Sequence, residues 1–211
     1  MDLFDNSLTG YLEEHSDVEN ELLKQINRET HLKVPSPHML SGHYQGRLLS
    51  LLSKIIAPKR ILEIGTFTGY ATLCLAEGLA SDGIIHTIDI NEELEDRVRG
   101  YFNRSDYSNQ INYHIGNAIE IIPTLNDTFD LVFIDADKKN NLNYYQLVIE
   151  KMPSGGVILI DNVLWKGKVL QESNDKQTEI ILELNKQIAS DARVEKVILP
   201  VRDGVFLIRK L

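Results

Sequence analysis

The spacing of apolar side chains predicts two helices in the first part of the chain. Within residues 1–30, four apolar side chains recur at helical spacing on a polar background: Val18, Leu22, Leu23 and Ile26. The prolines at positions 35 and 37 end this helix, because proline restricts its own backbone and that of the preceding residue. A second helix is predicted over residues 39–57, with three side chains on its inner face: Leu48, Leu52 and Ile55.

Beyond residue 60, short apolar strands alternate with helices. Strands are predicted over residues 61–64, 84–89, 111–115, 131–134, 156–160, 194–199 and 205–209. Helices are predicted over residues 70–79, 92–101, 144–152 and 178–189. This alternation indicates βαβ units, and the nearly continuous apolar strands indicate a parallel sheet that is covered on both faces. The last two strands are joined by a short turn, so they must form an antiparallel hairpin, which we expect at the sheet edge.

A seven-stranded, mainly parallel sheet with a C-terminal antiparallel hairpin predicts an α/β fold of the class I, Rossmann-like methyltransferase type. A plain dinucleotide-binding domain lacks that hairpin. We find no repeat or linker that would mark a second domain, so residues 1–211 are predicted to form one domain. Its core is expected over residues 38–211. The helical segment 1–37 is expected to contribute to the substrate mouth or to a dimer contact.

Composition narrows the class of protein. Hydrophobic residues make up 43% of the 211 residues and charged residues 25%, as in ordinary soluble proteins. We find no apolar run long enough to span a bilayer and no secretory signal at the acidic N-terminus. The single cysteine, Cys74, excludes an internal disulfide and a cysteine zinc site, so a cytoplasmic protein is expected. The net charge of -9 disfavours a nucleic-acid partner.

Polar residues after the first three strands predict an adenosine-type ligand. Gly65 and Gly69 follow the first strand and let the backbone turn tightly beside a ligand. Glu63, just before them, would accept a hydrogen bond from a ligand ammonium group or hold the glycine loop. Asp89 follows the second strand, where a carboxylate can bind both ribose hydroxyls, and Asn117-Ala118 after the third strand is placed to contact adenine. Each feature alone is more often a strand-to-helix turn or a helix cap; the combination favours the ligand.

The ends of the fourth and fifth strands predict a metal site and a base. Asp135, Asp161 and Asn162 should converge at the ligand edge of neighbouring strands. Two carboxylates and an amide oxygen suit Mg²⁺, with Mn²⁺ or Ca²⁺ as alternatives, and argue against zinc. Lys138, one turn after Asp135, is placed to take a proton from a hydroxyl. The competing interpretations are solvated strand ends and a surface lysine paired with Asp137. Trp165 either walls the substrate pocket or simply packs on its loop.

With these motifs in place, the chain resembles the cation-dependent O-methyltransferases of the caffeoyl-CoA and catechol type, particularly their small bacterial members. The matching stretches are ILEIGTFTGY, the IDI that contains Asp89, FDLVFIDADK, GGVILIDNVLWKGKV and LPVRDG. The resemblance implies S-adenosylmethionine as methyl donor, a divalent cation, a small catechol-like substrate and a homodimer. It implies metal ligation by Asp135, Asp161 and Asn162, and a catalytic base at Lys138, with Asp135 beside it.

The resemblance also assigns cofactor contacts along the chain. They are Ser41, Glu63, Gly65, Thr66, Gly69, Ala71, Asp89, Ala118, Asp135 and Asp137. At Ala71 the family often has a serine, so one side-chain hydrogen bond to the cofactor carboxylate is missing here. The substrate is expected to contact Lys138, Asn162, Trp165 and Lys166. Plant members have asparagine at the position of Lys166, which weakens the expectation of a plant-type CoA-ester substrate.

Three other functions are compatible with parts of this pattern. A methyltransferase of a hydroxylated tRNA base would share the fold but should carry a basic face, which the net charge opposes. A non-catalytic binder of the cofactor would have no need of Asp135, Lys138, Asp161 and Asn162. A nicotinamide-dependent oxidoreductase would require the phosphate-binding glycine pattern G-x-G-x-x-G, which is not found.

Overall fold

The computed structural model describes residues 6–171 and 175–211, and it contains the predicted seven-stranded sheet. The strands, in chain order β1 to β7, are Arg60–Ile64, Ile84–Asp89, Ile111–Ile115, Leu131–Ile134, Val157–Asp161, Val194–Leu199 and Val205–Lys210. Their order across the sheet is β3-β2-β1-β4-β5-β7-β6. The strands β1 to β5 pair in parallel, and β7 pairs antiparallel with both β5 and β6. The predicted class I methyltransferase fold and its edge hairpin are therefore confirmed.

Eight α-helices surround the sheet in the described residues. In chain order α1 to α8, they are Asn6–Glu14, Glu21–Lys33, Gly42–Ile56, Tyr70–Ala76, Glu95–Phe102, Ala118–Ile121, Asn141–Ile149 and Lys176–Ser190. Buried side chains form one hydrophobic cluster on each face of the sheet, as expected for strands that are apolar on both sides. No helix in these described ranges is long and apolar enough to cross a membrane.

The predicted helix of the N-terminal segment is two helices in the structure. Of the four apolar side chains at helical spacing, Leu23 and Ile26 are fully buried, but Val18 lies between α1 and α2 and is 79% exposed. Asn20 caps α2 by accepting a hydrogen bond from the backbone N–H of Leu23. Residues 1–5 of this predicted segment lie outside the described residues.

The inner face of α3 differs from the predicted one. Ile55 is 72% exposed, and the prediction that it faces the core is wrong. The buried face of the helix is mostly small or polar: Gln45, Gly46, Leu49, Ser50 and Ser53. A Cβ atom at Gly46 would lie 2.6 Å from Cε1 of Tyr70 on α4. Close packing of α3 on α4 therefore selects small side chains, and the larger apolar residues are displaced toward the helix flanks.

Candidate active site

The carboxylates predicted to bind a metal lie side by side at the ligand edge of the sheet. Ile134 on β4 pairs with Ile160 on β5. Asp135 and Asp161 follow at the next register position, and Asn162 comes directly after β5 in the left-handed backbone region, with φ of 63°. Adjacent parallel strands therefore bring these three oxygen-bearing side chains to one edge. Among the described residues there is no cluster of three or more His, Cys, Asp or Glu side chains that could hold a metal, and the predicted set has only two carboxylates.

Asp161 is held firmly from both sides. Its side chain is almost entirely buried, at 2% exposure. The Asn162 backbone N–H donates to Oδ1 at 2.7 Å, and Gln45 Nε2 donates to Oδ2 at 2.8 Å. Burial, together with the nearby carboxylate of Asp135, raises the pKa of Asp161 above its ordinary value. A cation at this edge would relieve both unfavourable effects.

Lys138 contacts the metal-ligand candidate Asp135 and not the adjacent residue Asp137. Its Nζ lies 2.9 Å from Asp135 Oδ1, and both side chains are mostly buried. Asp137 instead accepts hydrogen bonds from the hydroxyl of Tyr144 at 2.6 Å and from Nδ2 of Asn140 at 2.7 Å. The interpretation of Lys138 as a surface lysine paired with Asp137 is therefore wrong.

The glycine loop after β1 packs against the same strand end. A Cβ at Gly65 would lie 2.1 Å from the backbone oxygen of Asp135, and Gly65 has φ of +104°, so only glycine fits. Asp89 crosses to this loop: its Oδ2 accepts from the Phe67 backbone N–H at 2.6 Å, and its Oδ1 accepts from Asn91 at 2.8 Å. Asn91 caps the following turn. Asp89 thus joins the ends of β1 and β2.

Glu63 supports the glycine loop from the protein interior. The side chain is fully buried, and its Oε2 accepts from the hydroxyls of Thr72 and Thr87, the latter at 2.5 Å. Thr87 also bonds to Thr66 in the glycine loop, at 2.6 Å. The other oxygen, Oε1, is buried without a hydrogen-bond partner. These contacts favour the loop-holding alternative for Glu63. Burial raises the pKa of Glu63 to about 8, although the hydrogen bonds from Thr72 and Thr87 oppose the shift.

The remaining predicted cofactor residues line the same region. Ala118 begins α6 behind its cap Asn117, and Ala71 lies in the first turn of α4; both are buried. Gly69 has φ of 78°, and a Cβ there would lie 2.6 Å from Phe102. Ser41 is buried directly before α3. Asp137 is exposed and precedes the turn that leads into α7.

A tightly folded loop follows Asn162. Trp165, Lys166 and Gly167 all have positive φ, between 47° and 76°. The backbone N–H of Lys166 donates to Oδ1 of Asp203 at 2.5 Å, which stabilises this unusual conformation. Lys166 is exposed, whereas Trp165 is half-buried with its indole N–H unpartnered. The loop thus holds both predicted substrate residues in a defined conformation, three and four positions after Asn162.

Comparison with known proteins agrees with this geometry. The model of a family described as O-methyltransferase matches residues 13–211. The chain belongs to the O-methyltransferase family. It is 37% identical to caffeoyl-CoA O-methyltransferase 1 of Eucalyptus globulus, over 92% of this chain and 83% of the plant protein. A second relative, caffeoyl-CoA O-methyltransferase of Petroselinum crispum, is 35% identical over 92% of this chain and 85% of its own.

Solved structures of related enzymes share the fold of this O-methyltransferase. The O-methyltransferase TomG from Streptomyces achromogenes, in complex with SAM and involved in tomaymycin synthesis, has a TM-score of 0.90 and 27% identity, covering 97% of this chain and 96% of its own. An O-methyltransferase from Bacillus cereus in complex with SAH has a TM-score of 0.89 and 28% identity, covering 97% of each chain. The predicted family resemblance and the predicted enzyme class are confirmed.

Two residues of this O-methyltransferase site were not found by sequence reasoning. Gln45 on α3 reaches Asp161, and Arg202 in the β6–β7 turn reaches Gln45, with Nη1 3.2 Å from Oε1. Gln45 is fully buried, and a buried glutamine in a helix must have partners for its amide. Its position four residues after Ser41, a predicted cofactor contact, was a signal for it in the sequence. LPVRDG contributed to the family resemblance, but no role was assigned to its arginine.

Proposed function

We propose that this O-methyltransferase transfers a methyl group from S-adenosylmethionine to a hydroxyl of a small vicinal dihydroxy aromatic substrate, with the help of a divalent cation. One observation carries the proposal. Asp135 and Asp161 end register-paired strands beside the glycine loop, and Lys138 Nζ lies 2.9 Å from Asp135. A cation site, a base and a cofactor loop are thereby within reach of one another.

The cofactor proposal is supported by the fit of the glycine loop. Gly65 lets this loop pack directly against the backbone of Asp135, and Asp89 keeps lone pairs beyond the two N–H bonds it accepts. Two structural neighbours are described in complex with SAM or SAH. We assign cofactor contacts to Ser41, Gly65, Thr66, Gly69, Ala71, Asp89, Ala118, Asp135 and Asp137, and to Glu63 the support of the glycine loop. Bound S-adenosylmethionine supplies an electrophilic methyl group.

The metal proposal is supported by the chemistry of the donor set. Asp135, Asp161 and Asn162 present only oxygen ligands, which Mg²⁺ prefers, and three ligands leave positions for water or substrate. Burial and the Asp135 carboxylate raise the pKa of Asp161, and a bound cation would oppose this shift, which supports the proposal. When bound, the cation would lower the pKa of a coordinating hydroxyl. Mn²⁺ and Ca²⁺ are the alternatives to Mg²⁺.

The chain itself handles the proton and the substrate. Lys138 Nζ is the group that accepts the proton of the hydroxyl that becomes methylated. Asn162 presents its amide to the same hydroxyls, and the conformation of residues 165–167 sets the positions of Trp165 and Lys166 at the substrate. Because the phenolate and the sulfonium neutralise each other during transfer, positioning and exclusion of water are the main contributions of the protein.

We further propose a cytoplasmic homodimer in which the N-terminal segment contributes to the dimer contact or the substrate mouth. The support is a group of exposed apolar side chains on α1 and α3: Leu8, Tyr11, Leu51 and Ile55. Light scattering after gel filtration would test the dimer. A monomeric mass across the working concentration range would contradict it.

The deciding experiment is methyl transfer to a panel of catechols with Mg²⁺ or with chelator. Asp161→Ala and Asp161→Asn are compared with the control Asp82→Ala. The carboxylate of Asp82 is exposed and forms an ion pair with Lys59. We expect turnover that requires metal, is lost in both Asp161 variants and is kept in the control. Binding of Mn²⁺, followed by electron paramagnetic resonance, should be lost in parallel. Cofactor binding without metal-dependent turnover on any diol would overturn the proposal and favour a tRNA acceptor or a non-catalytic binder.

A further inference from the structure

The turn between β6 and β7, residues 200–204, is attached to the loop that follows Asp161. The backbone N–H of Val163 donates to Gly204 at 3.1 Å, and that of Leu164 donates to Asp203 at 2.9 Å. Gly204 permits this close approach, because a Cβ there would lie 2.4 Å from Cγ of Leu164. Asp203 and Gly204 therefore fix the positions of Val163 and Leu164, which follow the metal-ligand candidates.

From the same turn, Arg202 extends to the stretch before α3. Its Nη1 lies 2.8 Å from the backbone oxygen of Leu40 and 2.6 Å from that of Ser41, and Nη2 lies 3.2 Å from that of His38. A guanidinium group is permanently charged and donates in fixed directions, which suits it to hold several carbonyl groups at once. Arg202 therefore gathers residues 38–41, where the cofactor contact Ser41 is proposed.

Gln45 connects this arginine to Asp161. Its Oε1 accepts from Nη1 of Arg202 at 3.2 Å, and its Nε2 donates to Oδ2 of Asp161 at 2.8 Å. The guanidinium can only donate and the carboxylate can only accept, so the amide of Gln45 has a single satisfied orientation. Both Gln45 and Asp161 are buried, and water cannot replace a lost hydrogen bond there.

We propose that Gln45 and Arg202 are positioning residues that couple the position of residues 38–41, which include the proposed cofactor contact Ser41, to the orientation of Asp161 toward the metal. The inference rests on the proposed function, which supplies both ligands. Residues 38–41 and Asp161 share one hydrogen-bonded chain, so ordering one end favours the ordered state of the other. Cofactor and metal should therefore increase each other's affinity, and by the same factor, because binding linkage is reciprocal.

A merely structural network would behave differently. If Gln45 and Arg202 only stabilised the fold, their loss would lower the unfolding midpoint and weaken both ligands independently. If they couple the two sites, their loss leaves cofactor affinity without metal close to wild type and removes the increase that metal produces. The ratio of cofactor affinities with and without metal therefore separates the two roles.

The experiment measures this ratio on the full chain. S-adenosylhomocysteine binding is followed by calorimetry with Mg²⁺ or with chelator, and Mn²⁺ binding by electron paramagnetic resonance with or without S-adenosylhomocysteine. Gln45→Met keeps the side-chain volume and removes both hydrogen bonds, and Arg202→Lys keeps the charge and removes the planar fork. Matched controls are Gln187→Met and Arg209→Lys, whose side chains bond to the exposed carboxylates of Glu183 and Glu195.

In the wild type and both controls, metal should tighten S-adenosylhomocysteine about 5- to 150-fold, the usual range of coupling between sites. Gln45→Met should bring this ratio close to one, and Arg202→Lys should lower it. An unchanged ratio in folded Gln45→Met overturns the proposal. If that variant does not fold, as judged by urea unfolding, an unchanged ratio in Arg202→Lys overturns it instead.

The wild type separates this inference from the proposed function. A ratio of one together with metal-dependent turnover contradicts the coupling and leaves the proposed function intact. Binding of S-adenosylhomocysteine with neither Mn²⁺ binding nor metal-dependent turnover overturns both.

Discussion

Gly65 lies directly against the backbone of Asp135, so that a Cβ at Gly65 would be 2.1 Å from the Asp135 oxygen. This contact joins the loop proposed to bind the cofactor to the strand end proposed to bind the metal. The two strands involved, β1 and β4, are neighbours in the sheet, and the Asp135 backbone N–H donates to Ile64 at 2.8 Å. The loop and the strand end are the two half-sites of the proposed active site. Their relative position depends on the absence of a side chain at residue 65.

Gly65→Ala should disrupt both half-sites. The added methyl group collides with backbone, and alanine is strained at φ of +104°. We expect a lower urea midpoint and weaker binding of S-adenosylhomocysteine. Gly100→Ala is the control, because it lies in α5 with open space around its Cα, and alanine should stabilise it by about 0.5–1 kcal/mol. Equal cofactor affinity in the two variants would contradict the role of Gly65.

Lys138→Met should lower kcat by about 10²- to 10⁴-fold, the range typical for loss of a general base. The neighbouring Lys139→Met is the control, because Lys139 is exposed. Binding of S-adenosylhomocysteine should remain near the wild-type value in both, which separates proton transfer from cofactor binding. Steady-state turnover on an accepted catechol measures the effect, and similar kcat values in the two variants would exclude Lys138 as the base.

Glu63→Gln should make the unbound protein more stable at high pH than the wild type. Burial raises the pKa of Glu63 from 4.5 to about 8. A raised pKa in the folded state means that stability is fully present below pH 4.5 and is lost as the pH rises toward 8. Glutamine does not titrate, so its urea midpoint should lack this decline. The slope difference is limited to about 1.4 kcal/mol per pH unit for one proton. Parallel pH profiles of the two proteins would refute the assignment.

His86 and His114 should make the protein less stable in mild acid. They form a stacked pair with Nδ1 of His86 3.0 Å from Nε2 of His114. Burial lowers the pKa of both below 6.5, although Asp127 beside His86 opposes the shift. A lowered histidine pKa means that the unfolded chain binds more protons, so stability falls as the pH drops through 6.5.

The measurement for this pair is the urea midpoint between pH 5 and 8. His114→Gln should show a shallower decline below pH 6.5 than the wild type, because one titrating group is removed. His31→Gln, on the exposed face of α2, serves as the control and should follow the wild type. A decline that is unaffected by His114→Gln would assign the acid sensitivity to other groups.

The carboxylate pair at the sheet edge could be predicted because local sequence and sheet geometry agree. Asp135 and Asp161 each follow an apolar run, and parallel strands present their carboxyl ends at one edge. Strand bounds were also predictable, since β2, β3, β4 and β6 begin and end where the apolar pattern does. Strands buried on both faces leave a strong signal in a single sequence.

The inner face of α3 and the Gln45–Arg202 contact could not be predicted in the same way. Apolar residues occur on more than one side of α3, so their spacing does not reveal which side packs on α4. Gln45 and Arg202 are 157 positions apart, in a helix and in a turn, and no periodicity links them. Their contact depends on the antiparallel pairing of β5 with β7, which brings Val205 beside Asp161.

Arg202, which holds residues 38–41, follows Ser41 by 161 positions. The contact between them can therefore form only late in synthesis of the chain. A chain emerging from the ribosome completes α3 and the five parallel strands well before Arg202 is made. During that interval β5 has no β7 beside it, and Asp161 and Gln45 lack their final partner. Chains interrupted before residue 200 lack the whole strand β7 as well as Arg202, and for that reason we expect them not to bind S-adenosylhomocysteine, which a ribosome-release or truncation series would measure. Unfinished copies of the enzyme would then be inactive in methyl transfer. Activity would therefore appear only after the ribosome had synthesised the β6–β7 hairpin.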